Sequence, residues 1–240
     1  MKFNRNPNTS CILILKDYLG GIKLADLSLT QQYLICTLNQ NGSISTINTK
    51  KQICFIASCL FELQLNHCLE LDEKIVKITD ELPPSLNYLE PLYTYIQKES
   101  PIKLKKIINT YNLTFTDTKM TKLIATVADS LAKLEMVTPT KLGFSNSNNG
   151  YIPKEKCVNE VIQGIRYILL ENDEITEEEA ILAILLDKSR SLSKYFLESE
   201  QKQINAKLKD LSNTPPSVQV RKMINYVDLL IALTTLINFI

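Results

Sequence analysis

One histidine, six glycines and no CxxC pair occur in this 240-residue chain, and each scarcity closes a route to chemistry. A loop that cradles phosphate uses clustered glycines; here Gly20 and Gly21 adjoin, but no Gly-Lys-Ser/Thr follows them. HExxH, GxSxG and GxGxxG are missing too, and with them the zinc-protease, serine-hydrolase and dinucleotide signatures. No apolar run reaches the roughly 18 residues of a membrane-spanning helix. The longest, "LLIALTTLINFI", has 12 residues and follows Asp228. Near the N-terminus "CILIL" stops at Lys16 and Asp17, too short for a secretory h-region. Net charge is +1, so the whole molecule is not steered toward nucleic acid or membrane, and an electrostatic partner must meet a local patch. Strands rich in aromatics that stack bases are also lacking, which argues against nucleic acid as a partner.

What is present is a chain of ordinary globular composition, 45% hydrophobic and 22% charged, long enough to bury a core without disulfide or metal. Its six cysteines are irregularly spaced, and the chain reads as a cytoplasmic protein with reduced thiols and no cofactor. The stretch "CFIASCLFELQLNHCLELD", residues 54–72, holds three of them and His67. Cys54 and Cys59 are five apart on one helix, so they point about 140° apart, and they cannot converge on a tetrahedral ion. His67 and Cys68 adjoin on an extended segment and face opposite ways. Small buried thiols and an exposed turn histidine are the simpler reading. An enzyme using His67 or a cysteine stays open only through partners brought together in space.

The hydrophobic pattern predicts a mainly α domain over residues 27–240, after a lead-in segment at 1–26. A buried central helix bundle carries small β-hairpins, one projecting. Ser28 with Gln31, and Thr176 with Glu179, have capping-box spacing. Residues 50–65 are apolar on most sides, as in a buried helix. A short extended piece is expected at "SISTI", a small hairpin across Asp72-Glu73, and helices at 85–98, 101–112 and 117–135. Ser100-Pro101 would cap the second of these helices. "KLGFSNSNNGYIP" reads as a projecting hairpin with a polar tip. Helices then follow at 154–171, 176–187, 191–197, 199–211 and 217–239.

Lysines cluster locally: Lys50 and Lys51 before the buried helix, Lys103, Lys105 and Lys106 on one helix, Lys119 and Lys122 on the next, and Lys141, Lys154, Lys156 and Arg166 around the hairpin. The plain reading is a solvated helix surface. The functional one is a patch for phosphate-bearing headgroups, each lysine near an anionic bilayer contributing about 1 kcal/mol.

"LSLTQQYLICTLNQNGSIS", "ASCLFELQLNHCLELDEKIVKIT", "LAKLEMV" and "AILAILLDKSRSLSKYF", in that order, resemble the Golgi phosphoprotein 3 family and its bacterial-type members over about residues 26–240. The resemblance implies a helical core with a projecting hairpin, no enzymatic activity, peripheral membrane association, binding of phosphatidylinositol 4-phosphate and self-association through the hairpin. The family's headgroup tryptophan falls on Ile47, and its arginines fall on Ile56 and near Thr121 and Ile124. A basic pocket here would instead draw on Lys50, Lys51, Lys119 and Lys122. Leu142, Phe144, Tyr151 and Ile152 would touch the membrane or a second copy. The expected partner is an anionic phospholipid surface. The alternative is a soluble interaction or oligomerisation module that keeps the fold without lipid binding.

Overall fold

The computed structural model describes residues 27–45, 49–72, 74–112, 118–142, 148–171, 175–213 and 218–235; the lead-in at 1–26 lies outside them. Helix α1 (Leu29–Thr37) starts as its sequence dictates. The Ser28 hydroxyl accepts from the Gln31 backbone N–H at 3.3 Å, and the Gln31 side chain accepts from the Ser28 N–H at 3.0 Å. Its remaining free amides are met by carboxylates distant in sequence. Glu62 accepts from the Thr30 N–H at 2.8 Å, and Glu178 accepts from the Leu29 backbone. Two negative charges thus sit at the positive end of the helix dipole, where orphan donors need them.

Helix α2 (Thr49–Leu65) is buried from Ile53 through Leu63, as a helix apolar on most sides must be. It leaves into β1 (Leu69–Asp72), which pairs antiparallel with β2 (Ile75–Ile78). Leu69, Leu71 and Val76 face the core while Glu70, Asp72 and Lys77 face water, the period-two alternation that the sequence carries. A 3-10 turn at Pro84–Leu89 leads into α3 (Glu90–Glu99), and Pro91 sits in the first turn of α3, so it starts the helix rather than bending it.

The helix expected over 101–112 begins later. Ile102–Lys103 form a third strand, β3, against β2, and α4 runs Leu104–Asn112. Two contacts hold this linker on the sheet: the Ser100 hydroxyl accepts from the Ile78 N–H at 3.0 Å, and the Leu104 N–H donates to the Lys74 carbonyl at 2.8 Å. Ladder pairing with β2 therefore overrides the local cap signal, and Lys103 stands on a strand rather than on the helix of Lys105 and Lys106. The short extended piece expected at residues 43–47 forms no strand over 43–45, and its last two residues lie outside the described ones.

Helix α5 (Thr118–Lys133) feeds the hairpin of β4 (Val137–Leu142) and β5 (Asn148–Pro153), with Val137 opposite Pro153. Its tip, residues 143–147, lies outside the described residues. The hairpin's base is tied to the body. The Tyr151 N–H donates to the Gly42 carbonyl at 2.7 Å, and the Tyr151 hydroxyl donates to Asp129 at 2.8 Å. A Cβ at residue 42 would lie 2.5 Å from the Tyr151 nitrogen, and φ there is +77°, so both space and backbone demand glycine.

The second half is helical: α6 (Glu155–Arg166), extended by one π turn to Glu171, α7 (Glu177–Lys188), a 3-10 turn at Leu192–Lys194, α8 (Glu198–Asn213) and α9 (Val218–Thr235). The Thr176–Glu179 capping box is formed, with contacts of 3.3 and 2.8 Å. Arg166 ties α6 to α8 by an ion pair with Glu200, and it lies 4.9 Å from the ring centroid of Phe196, just before α8. Lys188 ties α7 to α9 through Asp228 at 2.6 Å, and the Tyr226 hydroxyl of α9 donates to the Leu71 carbonyl at 2.8 Å. The fold is mainly α with small antiparallel hairpins. Among the described residues no helix is long and apolar enough to cross a membrane.

Candidate anion-binding face

The cysteine-rich stretch resolves into core. Cys54 and Cys59 are buried in α2, Cys68 is buried ahead of β1, and all are free thiols. Burial pushes the Cys54 thiol up to about 12 and holds Cys59 well above its ordinary range. Such thiols are weak nucleophiles at neutral pH. His67 is exposed at the turn after α2, at φ +60°, and its carbonyl accepts from the Thr79 hydroxyl at 2.7 Å. Among the described residues, no three His, Cys, Asp or Glu side chains gather as metal ligands do.

The lysines fall into two settings. Lys50 and Lys51 open α2, and both are half-buried. Desolvation, and then the charge of Lys194, hold the Lys51 ammonium below its usual range. The Lys51 carbonyl accepts from the buried Tyr33 hydroxyl at 3.0 Å. Lys194, on the 3-10 turn, donates to the Tyr195 hydroxyl at 2.9 Å. Lys51 and Lys194 are thus like charges set beside the core.

The second setting is open. Lys103, Lys105, Lys106, Asn109 and Thr110 line a concavity of about 350 Å³ along α4. Lys119, on the first turn of the adjoining α5, lies 4.5 Å from the centroid of the Tyr95 ring, and the Tyr95 hydroxyl bonds the Thr110 hydroxyl at 2.8 Å. Tyr95 therefore couples the Lys119 side to the concavity. Lys122 is exposed one turn further along α5. No acidic residue occupies the first turn of α4, so Lys105 and Lys106 add to the positive end of its dipole. Among the described residues, Glu99 at the end of α3 pairs with Lys106 at 2.8 Å. That hydrogen bond, with the charges of Lys106 and Lys119 behind it, holds the Glu99 carboxyl below its usual range. The Asn109 side-chain oxygen is buried without a hydrogen-bond partner among the described residues.

Of the expected hairpin contacts, Tyr151 is not a surface group. It is 3% exposed, and its hydroxyl is held by Asp129. Gly42 lets a loop distant in sequence pair with the β5 backbone at this residue, and the hydroxyl is turned onto Asp129 of α5. Ile152 is 41% exposed and does face outward. Phe144 and the Leu142 side chain lie outside the described residues. Of the positions that the sequence resemblance pairs with headgroup contacts, Ile56 is fully buried in α2 and Thr121 is exposed between Lys119 and Lys122. Sequence reasoning missed Tyr95, Glu99 and Thr110. Glu99 lies seven residues before Lys106 across a proline, so no helical period links them.

The sequence profile of the Golgi phosphoprotein 3 (GPP34) family matches residues 29–227, from the first residue of α1 into α9. No curated protein matches the chain.

Proposed function

The chain belongs to the Golgi phosphoprotein 3 family, and from that premise we propose that it is a non-enzymatic module that docks reversibly on anionic phospholipid surfaces through its α4–α5 lysine face. One observation carries the reading. Lys103, Lys105 and Lys106 line one open concavity, with Lys119 coupled to it through Tyr95, and Glu99 pairs with Lys106. Each ammonium near an anionic surface contributes about 1 kcal/mol, so four or five on one side support binding that salt reverses. Ile152 would add an apolar contact at the interface. Lys50 and Lys51 form a second, more buried set with a smaller share in docking.

The test is sedimentation of the full chain with vesicles of phosphatidylcholine alone or mixed with phosphatidylserine. Pelleting with the mixed vesicles only, weakened by salt, is expected. Equal pelleting with both, or with neither, counts against docking and favours a soluble interaction module.

A further inference from the structure

Basic residues in the first turn of a helix oppose its dipole, and natural helices place carboxylates there instead. Helix α4 has Lys105 and Lys106 in that turn, Lys103 just before it and no acid of its own. The missing anion is supplied from α3: Glu99 reaches Lys106 at 2.8 Å, with Lys119 the next charge it feels. Both partners are exposed, Lys106 at 55% and Glu99 at 43%, so the pair is weak and exchangeable with solvent ions. Glu99 thus occupies the ammonium that a docking phosphate would otherwise engage.

We propose that Glu99 is an internal competitor, a carboxylate that an anionic headgroup must displace from Lys106, and that it sets how much surface charge the protein requires before it docks. The inference rests on the docking reading above and adds regulation to the same site. Displacement is an exchange of one oxyanion for another on the Lys106 ammonium, with no bond made or broken. A bilayer of low charge density does not win that exchange. A dense one does, because several headgroups compete together.

The experiment compares wild type with Glu99→Gln, Lys106→Met, the double variant and Glu198→Gln, using phosphatidylcholine vesicles with rising phosphatidylserine. Glu198 is 84% exposed on α8, which contributes no residue to the concavity, so its substitution controls for net charge. Glu99→Gln should bind about five-fold more tightly and dock at a lower phosphatidylserine content. Glu198→Gln should change little, and Glu99→Gln should gain almost nothing once Lys106 is methionine. Binding by Glu99→Gln where wild type shows none would support the proposal most strongly. If wild type binds and Glu99→Gln behaves as Glu198→Gln does, the competitor role is overturned while docking stands. The same holds if the gain persists without Lys106. If neither wild type nor Glu99→Gln pellets with any vesicle, docking falls and the competitor with it.

Discussion

Glu62 and Glu99 are the same side chain in opposite settings. Glu62 is 3% exposed and accepts from the Thr30 amide and the Tyr88 hydroxyl, joining α2 to the start of α1 and to the turn before α3. Glu99 is 43% exposed and holds one lysine of the solvent-open concavity. A buried acceptor cannot be exchanged for water without stranding its donors, whereas an exposed one exchanges freely. The first is committed to the fold and the second is available for function.

Breaking the buried member should have the largest effect. Glu62→Leu leaves the Thr30 N–H and the Tyr88 hydroxyl without acceptors, and a loss of about 3 kcal/mol is expected in urea unfolding. Glu62→Gln keeps one acceptor oxygen and should lose about half as much. Equal losses for the two variants would mean that charge, not hydrogen bonding, secures this junction.

On the open side, Lys119→Glu with Lys122→Glu should leave unfolding nearly unchanged and weaken binding to phosphatidylserine vesicles by at least about thirty-fold, from about 1 kcal/mol per lysine removed. A matching fall in stability would show that these lysines belong to the folded network. Lys50→Glu with Lys51→Glu should weaken binding less than the α5 pair. Lys51 is half-buried against the like charge of Lys194, so it offers less to a surface. A larger effect from the α2 pair would move the docking face to the start of α2.

What the sequence made legible was local. Both capping boxes form because donor and acceptor are three residues apart and need no partner elsewhere. The burial of α2 and the β1–β2 hairpin follow from period alone. Misreadings arose where a distant segment decided. Ile102 and Lys103 became strand because β2 offered an unpaired edge, and Tyr151 was buried with its hydroxyl on Asp129 of α5 and its N–H on Gly42, more than a hundred residues earlier. The candidate site divides the same way. Lysine clusters are visible as composition, but the concavity, the Tyr95 bridge and the Glu99 contact exist only once α3, α4 and α5 have packed.

The buried set can also be probed through its thiols, with an effect absent at neutral pH. Cys36 and Cys54 share the apolar interior near Tyr33, and burial lifts both thiols from 9.0 to about 12. The folded state then retains two protons that the unfolded chain releases as pH rises past 9. The stabilisation is complete below that value and is lost as pH climbs toward 12. Unfolding free energy should be flat in this respect up to about pH 9 and then fall, and Cys54→Ala should flatten the fall. Lys106, raised by its hydrogen bond to Glu99, shifts in the same direction, but the pair is exposed to solvent and adds little to the fall. If alkaline loss of stability persists unchanged after both thiols are replaced by alanine, the contrast between the sealed interior and the open lysine face rests on other groups, with the Tyr33 hydroxyl, raised by the same burial, the first to examine.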